Sequence, residues 1–154
     1  MTDEIEVGQT APDFTLRDEQ NQEVKLSDLR GQSVVLMFYP LDFSPICQGE
    51  FCEVRDSWAA WDATGAQVFG ISRDSVWAHK AWKEQQSFRH RLLSDMNGAV
   101  ARMYGAWNEE RGFANRRTVI IGPDGTIVGL DETANPGVVR DQSKLREVAT
   151  GAVA

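Results

Sequence analysis

Val34-Val35-Leu36-Met37-Phe38-Tyr39-Pro40-Leu41-Asp42-Phe43-Ser44-Pro45-Ile46-Cys47 is the stretch on which the fold turns. Val34–Tyr39 is continuously apolar, β-branched at its start and aromatic at its end. That composition predicts a strand buried on both faces, because a half-exposed strand alternates apolar with polar residues. Pro40 lacks a main-chain N–H and ends the ladder. Ser44-Pro45 is a helix start, with serine as N-cap and proline at the first helical position, where the missing N–H has no partner to lose. The expected helix runs through Cys47, Phe51, Val54, Trp58 and Trp61 to about Ala63, where Thr64-Gly65 stops it.

Working outward, Phe14–Leu16 and Glu23–Leu26 read as short strands around the polar turn DEQNQ, an N-terminal hairpin. Ser27 to Gly31 reads as one helical turn closed by glycine. Downstream, Gln67–Ser72 is a second buried strand, and Asp74 or Ser75 caps a helix with Trp77 and Trp82 on or near its inner stripe. Leu92-Leu93 is a short strand, and Gly98 to Tyr104 a short helix. Thr118–Ile121 and Thr126–Leu130 are strands joined by Gly122-Pro123-Asp124-Gly125, a strong hairpin turn. A last helix begins near Ser143 and fades at Gly151. The order predicts an α/β fold, a central mixed sheet flanked by helices, with right-handed crossovers in its parallel part. Residues 1–154 are expected to form a single domain.

A net charge of −7 argues against nucleic acid or an anionic membrane surface as a partner. The opening MTDEIEVGQT is acidic, without the apolar stretch of a secretory signal. The longest apolar run, Val34 to Leu41, falls far short of the roughly 20 residues a membrane helix needs. A cytoplasmic protein is therefore expected, and cysteines in a reducing compartment are more often reactive than structural. Cys47, Cys52, His79 and His90 lack the spacing of a zinc site, so neither metal nor cofactor is expected. Both histidines read as surface or half-buried residues without a catalytic part. Trp107 could wall a substrate pocket or simply pack.

With Ser44 as N-cap, Cys47 falls on the first helical turn, whose main-chain N–H groups have no partner within the helix. The positive end of the helix dipole favours a charged sulfur there. A helix terminus supplies at most about 2 kcal/mol, so a nearby cation is needed as well. Nucleophilic attack by such a sulfur further needs donors aimed at the atom on which charge develops. Orphan N–H groups, the Ser44 hydroxyl and an arginine are the candidates.

At this point a resemblance enters. PLDFSPIC (40–47) resembles the peroxiredoxin signature P-x-x-x-[T/S]-x-x-C, and Asn115-Arg116-Arg117-Thr118 followed by VIIGPDG resembles the family's R-x-T segment. The similarity runs from APDFTLRD (11–18) through the last hairpin. It implies a thioredoxin-like fold, Cys47 as peroxidatic cysteine, and Pro40, Ser44 and Arg116 completing the active site. The CQGE segment, Trp107-Asn108-Glu109, ANR and PG-VRDQ make the chain similar to the one-cysteine alkyl hydroperoxide reductase E type. Serine where the family commonly has threonine keeps the hydroxyl. Side chains alternate along a strand, so one of two adjacent arginines can face a pocket. The R-x-T pattern selects Arg116, leaving Arg117 to solvent or a surface acid. Glu50, one helical turn after Cys47, is similar to a family glutamate that orients the arginine; a plain solvated carboxylate is the other reading.

Cys52 departs from the one-cysteine type. Its spacing resembles the resolving cysteine of the bacterioferritin-comigratory-protein type, with an inert core thiol as the alternative. In an intact helix five residues rise about 7.5 Å and turn about 140°, which sets the Cα atoms roughly 8–9 Å apart. A disulfide tolerates about 7 Å, so closure requires unwinding, which Gly49 eases. The implied function is a thiol-dependent peroxidase reducing hydrogen peroxide and organic hydroperoxides through a Cys47 sulfenic acid. Cys52 points to thioredoxin as reductant, and the similarity to the E type to a glutaredoxin-like protein or a low-molecular-weight thiol. The resemblance also implies a homodimer. A one-cysteine peroxidase, or a thioredoxin-like redox sensor or disulfide oxidoreductase, stands as the alternative, although the last wants C-x-x-C.

Overall fold

In chain order the strands of the computed structural model, which describes residues 5–153, are β1 (Thr15–Asp18), β2 (Glu23–Lys25), β3 (Val34–Phe38), β4 (Gln67–Ser72), β5 (Arg91–Ser94), β6 (Trp107–Asn108), β7 (Phe113–Ala114), β8 (Arg117–Ile121) and β9 (Ile127–Glu132). The helices are α1 (Pro45–Asp56), α2 (Trp58–Asp62), α3 (Val76–Gln86), α4 (Ala99–Met103) and α5 (Gln142–Val153). A seven-stranded sheet has the order β2-β1-β5-β4-β3-β8-β9. β3 pairs in parallel with β4, and β4 with β5, while β3–β8, β8–β9, β1–β2 and β1–β5 are antiparallel. The mixed sheet flanked by helices is the thioredoxin-like arrangement, with the N-terminal hairpin added at one edge.

Every residue of β3 is buried, and its side chains divide between two cores. Val34, Leu36 and Phe38 join Val100, Ala101 and Tyr104 on one face. Val35, Met37 and Tyr39 join Cys47, Phe51, Val54, Trp61, Trp82 and Leu145 on the other. Alternation along a strand thus sends one six-residue run into two hydrophobic layers. α1 lies close on the sheet at Gly70 of β4, where an added Cβ would stand 2.9 Å from Leu92 and 3.1 Å from Phe51. Glycine here lets Phe51 seat against the strand.

Two local expectations need correction. The single helix expected from Pro45 to about Ala63 is split at Ser57, whose hydroxyl donates to the Glu53 carbonyl at 2.7 Å while its backbone leaves helical geometry (φ −105°, ψ 22°). A serine that bonds back to its own turn commonly bends a helix. Trp77 is 77% exposed, and Trp82 alone of the pair enters the core. Of the two caps expected for α3, Ser75 is the one used, its oxygen accepting from Ala78 N at 3.1 Å. The small β6–β7 hairpin was not legible, because two-residue strands carry no periodicity. Trp107 packs against the core over Gly98, where a Cβ would meet its ring at 2.6 Å.

The two histidines are also misplaced by the sequence reading, since both are fully buried. His90 stands against Phe51 (ring centroids 4.5 Å) and Phe88 (5.4 Å), and neither ring nitrogen has a hydrogen-bond partner. Burial, with Lys83 and Arg140 adding like-charge repulsion, pulls its pKa down to about 3. The unfolded chain binds this proton near pH 6.5 and the folded chain does not, so stability falls as pH drops from 6.5 toward 3. At about 1.4 kcal/mol per pH unit, the loss attributable to His90 is about 2 kcal/mol at pH 5. In urea titrations at pH 7 and pH 5, His90→Phe should shed that part of the acid sensitivity; an unchanged pH dependence would refute the assignment.

Candidate active site

The chain leaves β3 through buried Pro40 and turns at Phe43, which adopts the left-handed region (φ +65°). Ser44 holds the N-cap position of α1, but its hydroxyl does not cap the helix. It donates instead to the Leu41 carbonyl at 2.7 Å, which leaves the Ser44 oxygen its lone pairs as an acceptor rather than the donor the sequence suggested. The first i→i−4 bond of α1 is Gln48 N to Ser44 O at 2.9 Å. The Cys47 N–H therefore stands ahead of the helical ladder, among the unpaired donors of the first turn.

Cys47 is fully buried. Arg116, immediately before β8, is 2% exposed and reaches it: Nη2 lies 3.1 Å from Cys47 Sγ, Nη1 donates to Glu50 Oε1 at 3.2 Å, and Nε donates to the Pro136 carbonyl at 2.7 Å. All three faces of the guanidinium are fixed, which sets the sulfur's neighbour with little freedom. Arg117 points away and pairs with Glu132 at 3.1 Å. Glu50 is 1% exposed, so the solvated-carboxylate reading does not hold.

Sequence reasoning missed Arg140, although the PG-VRDQ segment contains it. Its Nε donates to Thr118 Oγ1 at 2.8 Å, its main-chain N–H to Glu50 Oε2 at 2.8 Å, and its other nitrogens to Glu50 Oε1 and the Phe38 carbonyl. Burial lowers the Arg140 pKa, and Glu50 opposes that shift. The cluster thus holds two guanidinium groups against one carboxylate. Buried charges are found paired, and Cys47 Sγ, 3.1 Å from Arg116 Nη2, is the remaining polar neighbour of the cluster.

A second network, also unread from sequence, clamps the loop that delivers Cys47. Tyr39 OH donates to Asp42 Oδ1 at 2.6 Å, Asp42 Oδ2 lies 2.6 Å from His79 Nδ1, and His79 Nε2 lies 3.0 Å from the Leu93 carbonyl. A carbonyl can only accept, so Nε2 carries a proton. Burial pushes the Asp42 carboxyl up, with the His79 hydrogen bond opposing. Asp74 accepts from the Asp42 main-chain N–H at 2.9 Å and from Ser72 Oγ at 2.5 Å. Ligand atoms of Asp42, Asp74 and His79 lie within 4.8 Å of one another, but both nitrogens of His79 are taken, and hydrogen bonds account for the grouping.

Cys52 is free and half-buried on α1, its sulfur 3.6 Å from Gln86 Oε1 of α3. Both cysteines sit on one unbroken helix. Among the described residues no helix is long and apolar enough to cross a membrane.

A thiol pinned at a helix start beside a buried arginine, on a thioredoxin-like sheet, defines the class of thiol-dependent peroxidases. Residues 7–129 match the model of the AhpC/TSA family, and the chain belongs to that family. It is 43% identical over 141 residues to alkyl hydroperoxide reductase E of Mycobacterium tuberculosis, covering 90% of this chain and 92% of that protein. It is 40% identical over 129 residues to a putative bcp peroxiredoxin of Coxiella burnetii, covering 80% and 85%. The crystal structure of Enterococcus faecalis AhpC superposes with a TM-score of 0.85 at 27% identity, covering 94% of this chain and 91% of that one. The chain is accordingly a peroxiredoxin of the alkyl hydroperoxide reductase E and Bcp type, an enzyme that reduces a peroxide at the expense of a thiol.

The clamp on the loop has a measurable consequence. Asp42→Ala leaves buried Tyr39 and His79 without their shared partner and should cost about 3 kcal/mol of stability, whereas Tyr39→Phe should cost about 1 kcal/mol. Urea midpoints decide this, and equal small losses would show that the network does not hold the loop.

Proposed function

We propose that Cys47 is the peroxidatic nucleophile and that Arg116, Glu50, Ser44 and Pro40 complete its site. The observation that carries this reading is the 3.1 Å contact between Arg116 Nη2 and Cys47 Sγ in a buried cluster otherwise one positive charge in excess. The sulfur attacks one peroxide oxygen, forming an S–O bond as the O–O bond breaks. The leaving oxygen takes a proton and departs as water or an alcohol, and Cys47 is left as sulfenic acid. Ser44 Oγ, its own proton engaged by Leu41, accepts from the peroxide O–H. Arg116 and the Cys47 N–H donate to the oxygens as charge moves onto them. Pro40 walls the pocket and lets no main-chain donor compete. Glu50 positions Arg116 without touching the peroxide.

Cys52 then attacks the sulfenic sulfur, releasing water and forming an intramolecular disulfide. The unbroken α1 must unwind first, since five helical residues hold the Cα atoms beyond disulfide reach. Gly49 supports this step: it is exposed, and an added Cβ would meet nothing within 4 Å. Thioredoxin suits such a disulfide as reductant; a glutaredoxin-like protein or a small thiol suits a sulfenic acid left unresolved. A cytoplasmic homodimer completes the reading.

Cys47→Ser should abolish peroxide consumption, while Cys52→Ser should keep the first oxidation; retained turnover in the former would refute the nucleophile. Arg116→Ala should slow oxidation of Cys47 by about 100-fold or more, as expected for loss of one charge-stabilising donor, and Arg117→Ala by far less. Equal slowing in stopped-flow would sink that assignment. After one equivalent of peroxide, mass spectrometry should find both thiols lost and a Cys47–Cys52 disulfide. A stable sulfenic acid with Cys52 still alkylatable would make this a one-cysteine enzyme. Gly49→Ala should slow closure by stiffening the helix by about 1 kcal/mol.

A further inference from the structure

Gln142, the first residue of α5, is 2% exposed and uses both ends of its amide. Its Nε2 donates to the main-chain carbonyl of Glu50 at 3.0 Å, and its Oε1 accepts from Trp61 Nε1 at 3.2 Å. The orientation follows from the partners, since a carbonyl only accepts and an indole N–H only donates. Glu50 lies between Cys47 and Cys52. Among the described residues, no other side chain hydrogen-bonds the main chain of that segment.

We infer that Gln142 is a positioning residue that holds α1 wound and sets how fast oxidised Cys47 is resolved. This rests on the reading of Cys52 as the resolving thiol. Closing Cys47 onto Cys52 turns the intervening peptide planes, including the Glu50 carbonyl. Other contacts on α1 join side chains: Trp82 Nε1 donates to Gln48 Oε1 at 3.1 Å, Cys52 meets Gln86, and the Glu50 carboxylate, on its own rotatable stem, pairs with Arg116 and Arg140. Those chains can rotate as the helix opens and keep their partners. The Gln142 amide cannot follow, because Trp61 holds its far end. Opening therefore strands a buried N–H, which is far costlier than losing a solvated bond. Attack on the peroxide takes place with α1 wound and asks nothing of Gln142. The two half-reactions are separable at this side chain, and the lifetime of the sulfenic acid is set from α5.

Three variants test this. Gln142→Met keeps the length and removes both bonds. Gln142→Glu keeps an oxygen for Trp61 and sets the other against the Glu50 carbonyl. Trp61→Phe removes the indole donor and leaves the bond to Glu50. Sulfenic acid formation, followed by stopped-flow with one equivalent of hydrogen peroxide, should stay within about twofold of wild type in all three. Disulfide formation, read as loss of alkylatable Cys52, should accelerate about tenfold in the two Gln142 variants and by a smaller, measurable factor in Trp61→Phe, which frees the far end of the amide but keeps its bond to Glu50. Hydrogen exchange of amides 47–52 in the reduced protein should rise in the same two. Unchanged closure and exchange in Gln142→Met, or equal acceleration in all three, would overturn the latch. If oxidised wild type keeps Cys52 alkylatable, the resolving role fails separately. Exchange at 47–52 then decides alone: faster exchange in Gln142→Met supports the hold on α1, and unchanged exchange removes it.

Discussion

The buried carboxylate of Glu50 is the contact on which the rest of the site depends. It lies between the guanidinium groups of Arg116 and Arg140, all three side chains being at most 3% exposed. Removing one member of such a set leaves a charge in the interior without its counterion, costing about 3–5 kcal/mol. Through this one group α1 is tied to the start of β8 and to the segment before α5, and through Arg140 to the Phe38 carbonyl at the end of β3. The strand that leads to Cys47, the helix that carries it and the arginine that contacts it are therefore positioned together. The energy of the cluster is spent on geometry: a hydrophobic replacement would hold the fold as well, but could not place a cation 3.1 Å from the sulfur.

The fold itself was largely legible because it rests on patterns of the main chain. Val34–Phe38 announces a central strand through unbroken apolarity, Ser44-Pro45 a helix start, and Gly122-Pro123-Asp124-Gly125 a hairpin, and each lies where its local chemistry put it. Expectations failed where side-chain hydrogen bonds or tertiary packing overrode local pattern. Ser57 divides a helix whose apolar spacing continues through Trp61. His79 and His90 read as surface or half-buried residues, yet one is satisfied by Asp42 and Leu93 and the other is enclosed by aromatic rings.

For the site, the segment PLDFSPIC and the pair Arg116-Arg117 were informative because local spacing carries their meaning. Alternation at the entry to β8 separates the two arginines, one toward Cys47 and one toward Glu132. Arg140 could not be found this way. It is 90 residues from Glu50 in sequence, and an arginine in a polar segment before a helix has no local mark of burial. The Tyr39–Asp42–His79 chain is equally non-local, joining a strand end, a loop and a helix that only tertiary packing brings together. Only tertiary packing brings Arg140 to Glu50, beside Arg116 and Cys47.

Two different devices fix Cys47 from opposite sides, and the difference bears on how α1 can open. Before Cys47, the loop is held at Asp42 by hydrogen bonds to Tyr39, His79 and Asp74, each from a separate part of the chain. After Cys47, Glu50 is held by the arginine cluster. Between these anchors lie Pro45, Ile46 and Gly49, all exposed, with Gln48 half-buried. A helix secured at both ends of so short a span opens in its middle, where glycine weakens it and solvent can take up the freed main-chain groups. On the proposed reading the deep anchors keep Cys47 aligned for attack on the peroxide, and the exposed turn from Pro45 to Gly49 yields before the Glu50 carbonyl leaves Gln142.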